Sequence, residues 1–185
     1  MNDQAKRKNI ITTDSKLSPQ ADIVGAHTLS VFVSNQPGVL ARIAQVFSRR
    51  AYNIDSLVVS QGRDPKFSRM TIGVSGDSKM LDQIIKQVNK LIDVIHCYEH
   101  EEDDAVVKEM VMVKIICPTS ERTEVLQIIN HFNGKTVDFT ETSLIAMING
   151  DTEKVDAAIR LLSSYEIIET VRTGKVVMAR GELPT

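Results

Sequence analysis

The sequence predicts an α+β fold made of two tandem β-α-β-β-α-β units. Segments in which apolar and polar residues alternate, as in half-buried strands, are interleaved with segments whose apolar residues recur at helical spacing. The same order of segments occurs before and after an acidic run at residues 99–104. The composition is 42% hydrophobic but only 4% aromatic and lacks Trp, which predicts aliphatic cores in domains of modest stability. Association with a partner is therefore expected.

The first unit begins with a strand near residues 27–34, in which the alternating Leu and Val residues share one face. The turn at residues 35–38 leads from it into an amphipathic helix near 38–50. The other elements are strands near 53–61, 67–75 and 92–100, a hairpin loop at 62–66 and a helix with apolar positions from Met80 to Leu91. Right-handed crossovers fold this order into a four-stranded antiparallel sheet covered by two helices on one face, the ferredoxin-like arrangement.

The segments after the acidic run predict a second ferredoxin-like unit. They are a strand near 110–116, a helix with apolar positions from Val125 to Phe132, strands near 135–141 and 143–149, a helix from Val155 to Leu162, and segments near 166–173 and 175–180. The predicted domains are a flexible extension at 1–26, a first domain at 27–101, an acidic linker at 102–108, a second domain at 109–181 and a tail at 182–185. Since helices cover one face of each sheet, the remaining sheet surface and edges are left for partners to bury.

The composition also argues against several classes of protein. A net charge of −2 and a pI near 6.1 do not fit a basic nucleic-acid-binding surface. No apolar stretch is long enough to span a membrane, and residues 1–26 lack the apolar core of a signal peptide. The two cysteines, Cys97 and Cys117, cannot build a disulfide framework and are expected as buried free thiols of a cytoplasmic protein.

No catalytic residue and no metal site are predicted. The sequence contains no nucleophile elbow, phosphate-binding loop or dinucleotide-binding glycine motif, and no acid–base set for a small enzyme on this fold. The best metal candidates are His96, Cys97 and His100. On a strand the two histidines share one face while Cys97 points to the other, so the three cannot converge on one ion.

Two interpretations fit the turn at residues 35–38. Pro37 pre-sets a turn, and Gly38 lacks a Cβ, so a ligand can approach the N–H groups of the first helical turn. Those N–H groups and the helix dipole favour a small anion such as a carboxylate. The plainer interpretation is a structural turn, because Asn, Pro and Gly are common turn residues. The turn alone does not decide between the two.

A series of separated segments adds a second line of argument. It consists of residues 29–43, 47–57, 68–72, 111–115, 137–138, 172–174 and 180–181. In content and order this series resembles the regulatory small subunit of acetohydroxyacid synthase, also called acetolactate synthase, and the first unit resembles its ACT domain. The resemblance extends over about residues 27–181.

The resemblance implies a homodimer, paired through its ACT domains, that activates a large catalytic subunit in branched-chain amino-acid biosynthesis. Thiamine diphosphate, Mg²⁺ and FAD would belong to that catalytic subunit and not to this chain. Feedback inhibition would come from an effector, commonly valine, bound between two subunits. The resemblance places the effector contacts at Asn35, Gly38 and Asn53, with Val39, Leu40 and Ile54 beside them. Such a site matches a zwitterion, which needs N–H donors, amide oxygens and an apolar wall.

One residue departs from the pattern of many relatives, which carry Gly at the position of Ala51. If the helix ends there in a left-handed residue, Ala is strained by roughly 1 kcal/mol or more. We therefore expect a slight shift of the helix end, which also affects the placing of Asn53.

The alternative function is that of a free-standing ACT-type amino-acid sensor that controls another enzyme. No helix-turn-helix motif is evident, which argues against the transcriptional version of such a sensor.

Overall fold

The structure is a computed structural model that describes residues 25–100, 104–182 and 185. The predicted extension at 1–26 therefore lies almost entirely outside the described residues, as do residues 102–103 of the predicted linker and residues 183–184 of the tail. The elements of the first unit are β1 (Gly25–Ser34), α1 (Val39–Ser48), β2 (Ile54–Gln61), β3 (Phe67–Gly76), α2 (Ser78–Val88) and β4 (Val94–His100). Their order is the predicted one.

The first sheet has the strand order β2-β3-β1-β4, and every neighbouring pair is antiparallel. Alternation along β1 buries Leu29, Val31 and Val33 completely on the face that α1 and α2 cover. The helices contribute the matching apolar side chains, among them Phe47 and Leu81. Each such aliphatic or aromatic side chain stabilises the fold by about 1.5–3 kcal/mol when it is fully buried.

The second unit repeats this plan. Its elements are β5 (Ala105–Ile116), α3 (Arg122–His131), β6 (Lys135–Phe139), β7 (Ser143–Gly150), α4 (Thr152–Leu162), β8 (Ile167–Arg172) and β9 (Val176–Ala179). The strand order is β6-β7-β5-β8, which is topologically the same as in the first sheet, and β9 pairs with the first part of β5. The prediction of two ferredoxin-like units in an α+β fold is confirmed. Within the described residues, no helix combines the length and the apolar character that a membrane crossing requires.

Strand β5 begins earlier than the sequence pattern indicates. The stretch 102–108 was predicted as an acidic linker, but residues 105–108 form the first third of β5 and pair with β9, Ala105 opposite Ala179 and Lys108 opposite Val176. The acidic character ends at Asp104, and the Ala-Val-Val sequence that follows is apolar enough to form a strand once β9 supplies a partner. Ala105 is accordingly buried.

The chain covers part of the first sheet's open face by itself. Gly174, in the turn between β8 and β9, is buried and has a φ of 83°. A Cβ at this position would lie only 2.8 Å from the Cβ of Ser56 on β2, so the turn approaches the first sheet as closely as a glycine permits. The second unit thus covers some of the sheet surface that we expected a partner to bury.

The end of α1 has the geometry that the sequence raised as a source of strain, and the expected slight shift of the helix end away from Ala51 does not occur. Ala51 has a φ of 53°, its N–H donates to the Ser48 carbonyl oxygen at 3.0 Å, and the Tyr52 N–H donates to the Phe47 carbonyl oxygen at 3.1 Å. This is a Schellman motif with alanine at the left-handed position. Helix α3 ends in the same way with Asn133, whose φ is 51°. The first unit therefore stores backbone strain that the second largely avoids, since Asn tolerates this conformation.

Replacing Ala51 by Gly is expected to raise the free energy of unfolding by about 0.5–1 kcal/mol. The gain is the relief of about 1–2 kcal/mol of left-handed strain, reduced by the larger entropy of glycine in the unfolded chain. Urea unfolding measures it, and Asn133→Gly is the matched control with a smaller expected gain. A lower free energy of unfolding in Ala51→Gly than in the native chain would show that Ala51 is not strained.

Candidate functional site

The turn between β1 and α1 leaves the start of the helix without a side-chain cap. Gly38 holds the cap position with φ 83° and ψ −6°, and no side chain among the described residues accepts a hydrogen bond from the first turn of α1, whose first N–H, that of Val39, donates to the Gln36 carbonyl oxygen at 3.4 Å. By contrast, Asp77 caps α2 by accepting from the Met80 N–H, and Asp151 caps α4 in the same way. Helix α3 also lacks a side-chain cap. The N–H groups at the start of α1 therefore retain capacity for an external acceptor.

Distant residues fix the conformation of this turn. The Asn35 N–H donates to the Lys66 carbonyl oxygen at 2.7 Å, and Asn35 Nδ2 donates to the Pro65 carbonyl oxygen at 2.9 Å. On the other side Arg42 Nε and Nη2 contact Asp93 Oδ2 at 2.8 and 2.7 Å. The β2–β3 hairpin and the residues before β4 thus support the turn. Their sequence separations of 30 to 51 residues left no local signal of this role.

The apolar candidates differ in their accessibility. The side chain of Val39 is only 3% exposed and packs in the first core, and its N–H donates to the Gln36 carbonyl oxygen at 3.4 Å, so this residue offers a ligand less than its neighbours do. Leu40 is 41% exposed beside the turn and can form an apolar wall. Ile54 is half-buried at the start of β2.

Asn53 lies just before β2, where a short polar network holds it. Its Nδ2 donates to Asp55 Oδ1 at 2.9 Å, and Ser75 Oγ donates to Asp55 Oδ2 at 2.6 Å. The Asn53 side-chain oxygen has no hydrogen-bond donor among the described residues and remains available as an acceptor. An ammonium group is a suitable donor for it.

Asn35 and Asn53 lie at opposite ends of the same sheet. Ser34 pairs with Phe67, and Ile54 pairs with Val74, so seven residues of β3 separate the two levels. At about 3.3 Å per residue this amounts to about 23 Å. A single chain cannot bring both asparagines to one small ligand.

The three metal candidates of β4 lie as the alternation of a strand predicts, with the two histidines on one face of the sheet and the cysteine on the other. His96 and His100 lie on the open face of the first sheet, where His96 stacks between Phe32 and Tyr98, while Cys97 is buried in the first core. No group of three or more potential ligands that could hold a metal ion occurs among the residues that the structure describes. Burial raises the pKa of the Cys97 thiol to about 12, and burial likewise raises that of Cys117.

Both thiols are therefore expected to be inert in the folded protein. The thiolate is the reactive form, and at about pH 8 a buried thiol with a raised pKa supplies almost none. Mass spectrometry after iodoacetamide treatment should find no alkylated cysteine in the native chain and two in the chain unfolded with guanidinium. Rapid alkylation of either native cysteine would refute this.

The chain has close relatives among known proteins. Residues 29–96 match the model of an acetolactate-synthase (AHAS) small subunit-like ACT domain, and residues 108–181 match that of the small subunit of acetolactate synthase. It is 44% identical over 156 residues to a probable acetolactate synthase small subunit of Methanothermobacter thermautotrophicus, covering 84% of this chain and 93% of that protein. A counterpart from Mycolicibacterium smegmatis is 43% identical over 155 residues, covering 84% and 91%.

A solved structure agrees with this relationship. The crystal structure of the acetolactate synthase small subunit from Thermotoga maritima superposes with a TM-score of 0.79 at 34% identity, covering 86% of this chain and all of that one. The resemblance inferred from the separated sequence segments is thus confirmed over both units. The chain belongs to the family of acetolactate synthase small subunits.

Proposed function

We propose that this chain is a regulatory subunit that activates the catalytic subunit of acetolactate synthase and confers feedback inhibition by valine. The observation that carries the proposal is the uncapped start of α1 behind Gly38, together with the exposed amide of Asn35 beside it. The catalytic subunit would hold thiamine diphosphate, Mg²⁺ and FAD. Two free, buried cysteines fit work in a reducing compartment such as the cytoplasm.

Valine matches the chemistry of this turn. Its carboxylate would accept hydrogen bonds from the N–H groups of the first turn of α1, where the helix dipole adds favourable charge. Its ammonium group would donate to the side-chain oxygens of Asn35 and Asn53. Leu40 and Ile54 would contact the branched side chain of valine. Such apolar contacts change the binding free energy by only about 1–3 kcal/mol for one methylene more or less in the ligand.

The separation of the two asparagines supports a site shared by two copies of the chain. In a dimer with a two-fold axis beside the sheet, the sheet end that carries Asn35 in one subunit would lie next to the sheet end that carries Asn53 in the other subunit. Two equivalent pockets would form in the dimer, each built from both subunits. Neither pocket would be complete in a monomer.

The contact between the two units gives a route from effector to catalytic partner. Asn53 immediately precedes β2, and three residues later Ser56 contacts Gly174 of the second unit. Binding of valine to Asn53 would favour one conformation of β2 and, through the contact between Ser56 and Gly174, one conformation of the turn between β8 and β9. Valine must bind the inhibitory state more tightly, and a coupling of about 1–3 kcal/mol is typical.

Reconstitution tests the proposal. The purified chain is mixed with its candidate catalytic subunit, and acetolactate formation is followed with and without valine, leucine or isoleucine. We expect a higher rate with the chain present and a decrease on adding valine. No gain in rate would overturn the subunit role. Calorimetric binding of valine without any effect on acetolactate formation would point instead to a free-standing sensor.

A further inference from the structure

A cavity of about 500 Å³ lies between the open face of the first sheet and strand β9 of the second unit. Its floor consists of side chains that point away from α1 and α2, since Phe32 and Arg69 are paired across β1 and β3 on the face opposite to the buried Val31. Ser60 of β2 continues the same row. Residues 176–178 form the other wall. The volume lies within the range of small-molecule sites, about 300–1,000 Å³.

The floor of this cavity, which we call the inter-unit cleft, carries the guanidinium of Arg69, and Arg63 and Asp64 between β2 and β3 also line the cavity. Arg69 is only partly exposed, yet among the described residues no carboxylate or hydrogen-bond acceptor contacts its guanidinium. The other described arginines of intermediate exposure do have acceptors: Arg50 donates to Gln83 Oε1, and Arg122 donates to the Glu141 carbonyl oxygen. A guanidinium presents five N–H donors, so an anion in the cleft would accept from donors that no described residue engages.

Aromatic rings line the floor next to this charge. The rings of Phe32 and Phe67 lie 5.2 Å apart between centroids, and Arg69 lies over the Phe32 ring at 5.6 Å from its centroid. Val58 adds an aliphatic wall, and Ser60 and Thr71 also line the cavity. A flat apolar body would be in contact with the rings while its charged group meets Arg69.

We propose that the inter-unit cleft binds a small aromatic anion, with the anionic group on Arg69 and the ring system against Phe32 and Phe67. This site is separate from the proposed valine site, since its donors come from β3 rather than from the start of α1. It requires one chain only, because both walls belong to the same polypeptide. Its test needs neither the catalytic subunit nor valine.

The test uses the full chain and two fluorescent probes with the same ring system, the anionic anilinonaphthalene sulfonate and the uncharged phenylnaphthylamine. The native chain should bind both probes saturably, one per chain. Arg69→Gln should weaken binding of the anionic probe by about tenfold or more and leave that of the uncharged probe nearly unchanged. Ser60→Trp, which fills the cleft from an exposed strand position, should abolish binding of both.

Arg49→Gln is the matched control, because Arg49 is an exposed arginine at the end of α1 and does not line the cleft. It should leave both affinities at the native value. Circular dichroism and the thermal midpoint establish that each variant is folded, and Arg69→Met, which keeps an apolar stem but no charge, replaces Arg69→Gln if the latter is not. Non-saturable binding to the native chain, or equal affinity of the native and Arg69-substituted chains for the anionic probe, would overturn the proposal.

Discussion

Replacing Gly38 by Asp is expected to abolish inhibition by valine while leaving activation of the catalytic subunit largely intact. The new carboxylate would occupy the helix start where the carboxylate of valine is proposed to bind, and would repel it. The φ of 83° also disfavours any residue with a Cβ, which here would lie 3.0 Å from Arg42 Nη1. The valine concentration for half inhibition of acetolactate formation should rise by about 100-fold or more.

A second glycine provides the matched control for backbone strain. Gly181 has a φ of 74°, and no heavy atom of the described residues lies within 4 Å of the position of a Cβ, so Gly181→Asp introduces the same charge and similar strain away from the turn. Its valine response should remain native. Asn35→Ala, which removes the hydrogen bond to the Pro65 carbonyl oxygen, should also lose valine sensitivity. Native inhibition in both Gly38→Asp and Asn35→Ala would show that the effector binds elsewhere.

Replacing Arg172 by Met is expected to lower the free energy of unfolding by about 2–3 kcal/mol at neutral pH. Glu109 is almost completely buried, and Arg172 binds it through Nε at 2.8 Å and Nη2 at 2.7 Å while contacting Asp156 at 2.8 Å. Without the guanidinium, Glu109 remains as a buried, poorly compensated charge. The partial exposure of Arg172 keeps the loss below the values measured for fully buried pairs.

The pH dependence identifies the cause of this loss. Burial alone raises the pKa of Glu109, but the hydrogen bonds from Arg172 and Thr152 and the nearby positive charges outweigh it, so the pKa lies below its usual value. The native pair thus stabilises the fold at pH values above the ordinary pKa of Glu. This stabilisation is lost as the pH falls through the lowered pKa of Glu109. In Arg172→Met the effect of burial on the Glu109 pKa dominates. The difference in unfolding free energy between the native chain and this variant should therefore become smaller as the pH is lowered from about 7 to about 4.

Two further variants complete the urea-unfolding experiment. The double variant Glu109→Gln with Arg172→Met should recover part of the loss, since no buried charge remains. Lys114→Met removes an exposed contact with Glu169 of 4.0 Å on the same sheet and should change stability by less than about 0.5 kcal/mol. A pH-independent deficit in Arg172→Met would mean that lost packing, rather than charge, is responsible.

Much of the element order was predictable because the burial of segments such as β1 and α1 follows a local period. The inward residues of β1 alternate, and the buried Val39, Ile43 and Phe47 of α1 recur at helical spacing. The pairing of β9 with the first part of β5 was not predictable in this way. It joins residues about 70 positions apart, and residues 105–108 have no distinct pattern beside the acidic run.

The candidate site shows the same division between local and distant information. The turn and its glycine could be predicted from four consecutive residues, whereas the supports that Lys66 and Asp93 provide could not, because they arise only when the sheet has formed. The resemblance to the family placed Asn35 and Asn53 in one site without giving their separation. The strand register adds the distance between them, and this distance supports the proposed site shared by two copies.

The contact between Gly174 and Ser56 makes the side chains allowed at the two positions depend on each other. A Cβ at residue 174 would be 2.8 Å from Ser56, and a larger side chain at residue 56 would meet the same obstacle from the other side. A substitution that adds volume at one position is therefore expected to require a compensating change at the other. Chimeras that join the first unit of one relative to the second unit of another should therefore fold well only when both positions come from a compatible pair, whatever the overall identity of the parents.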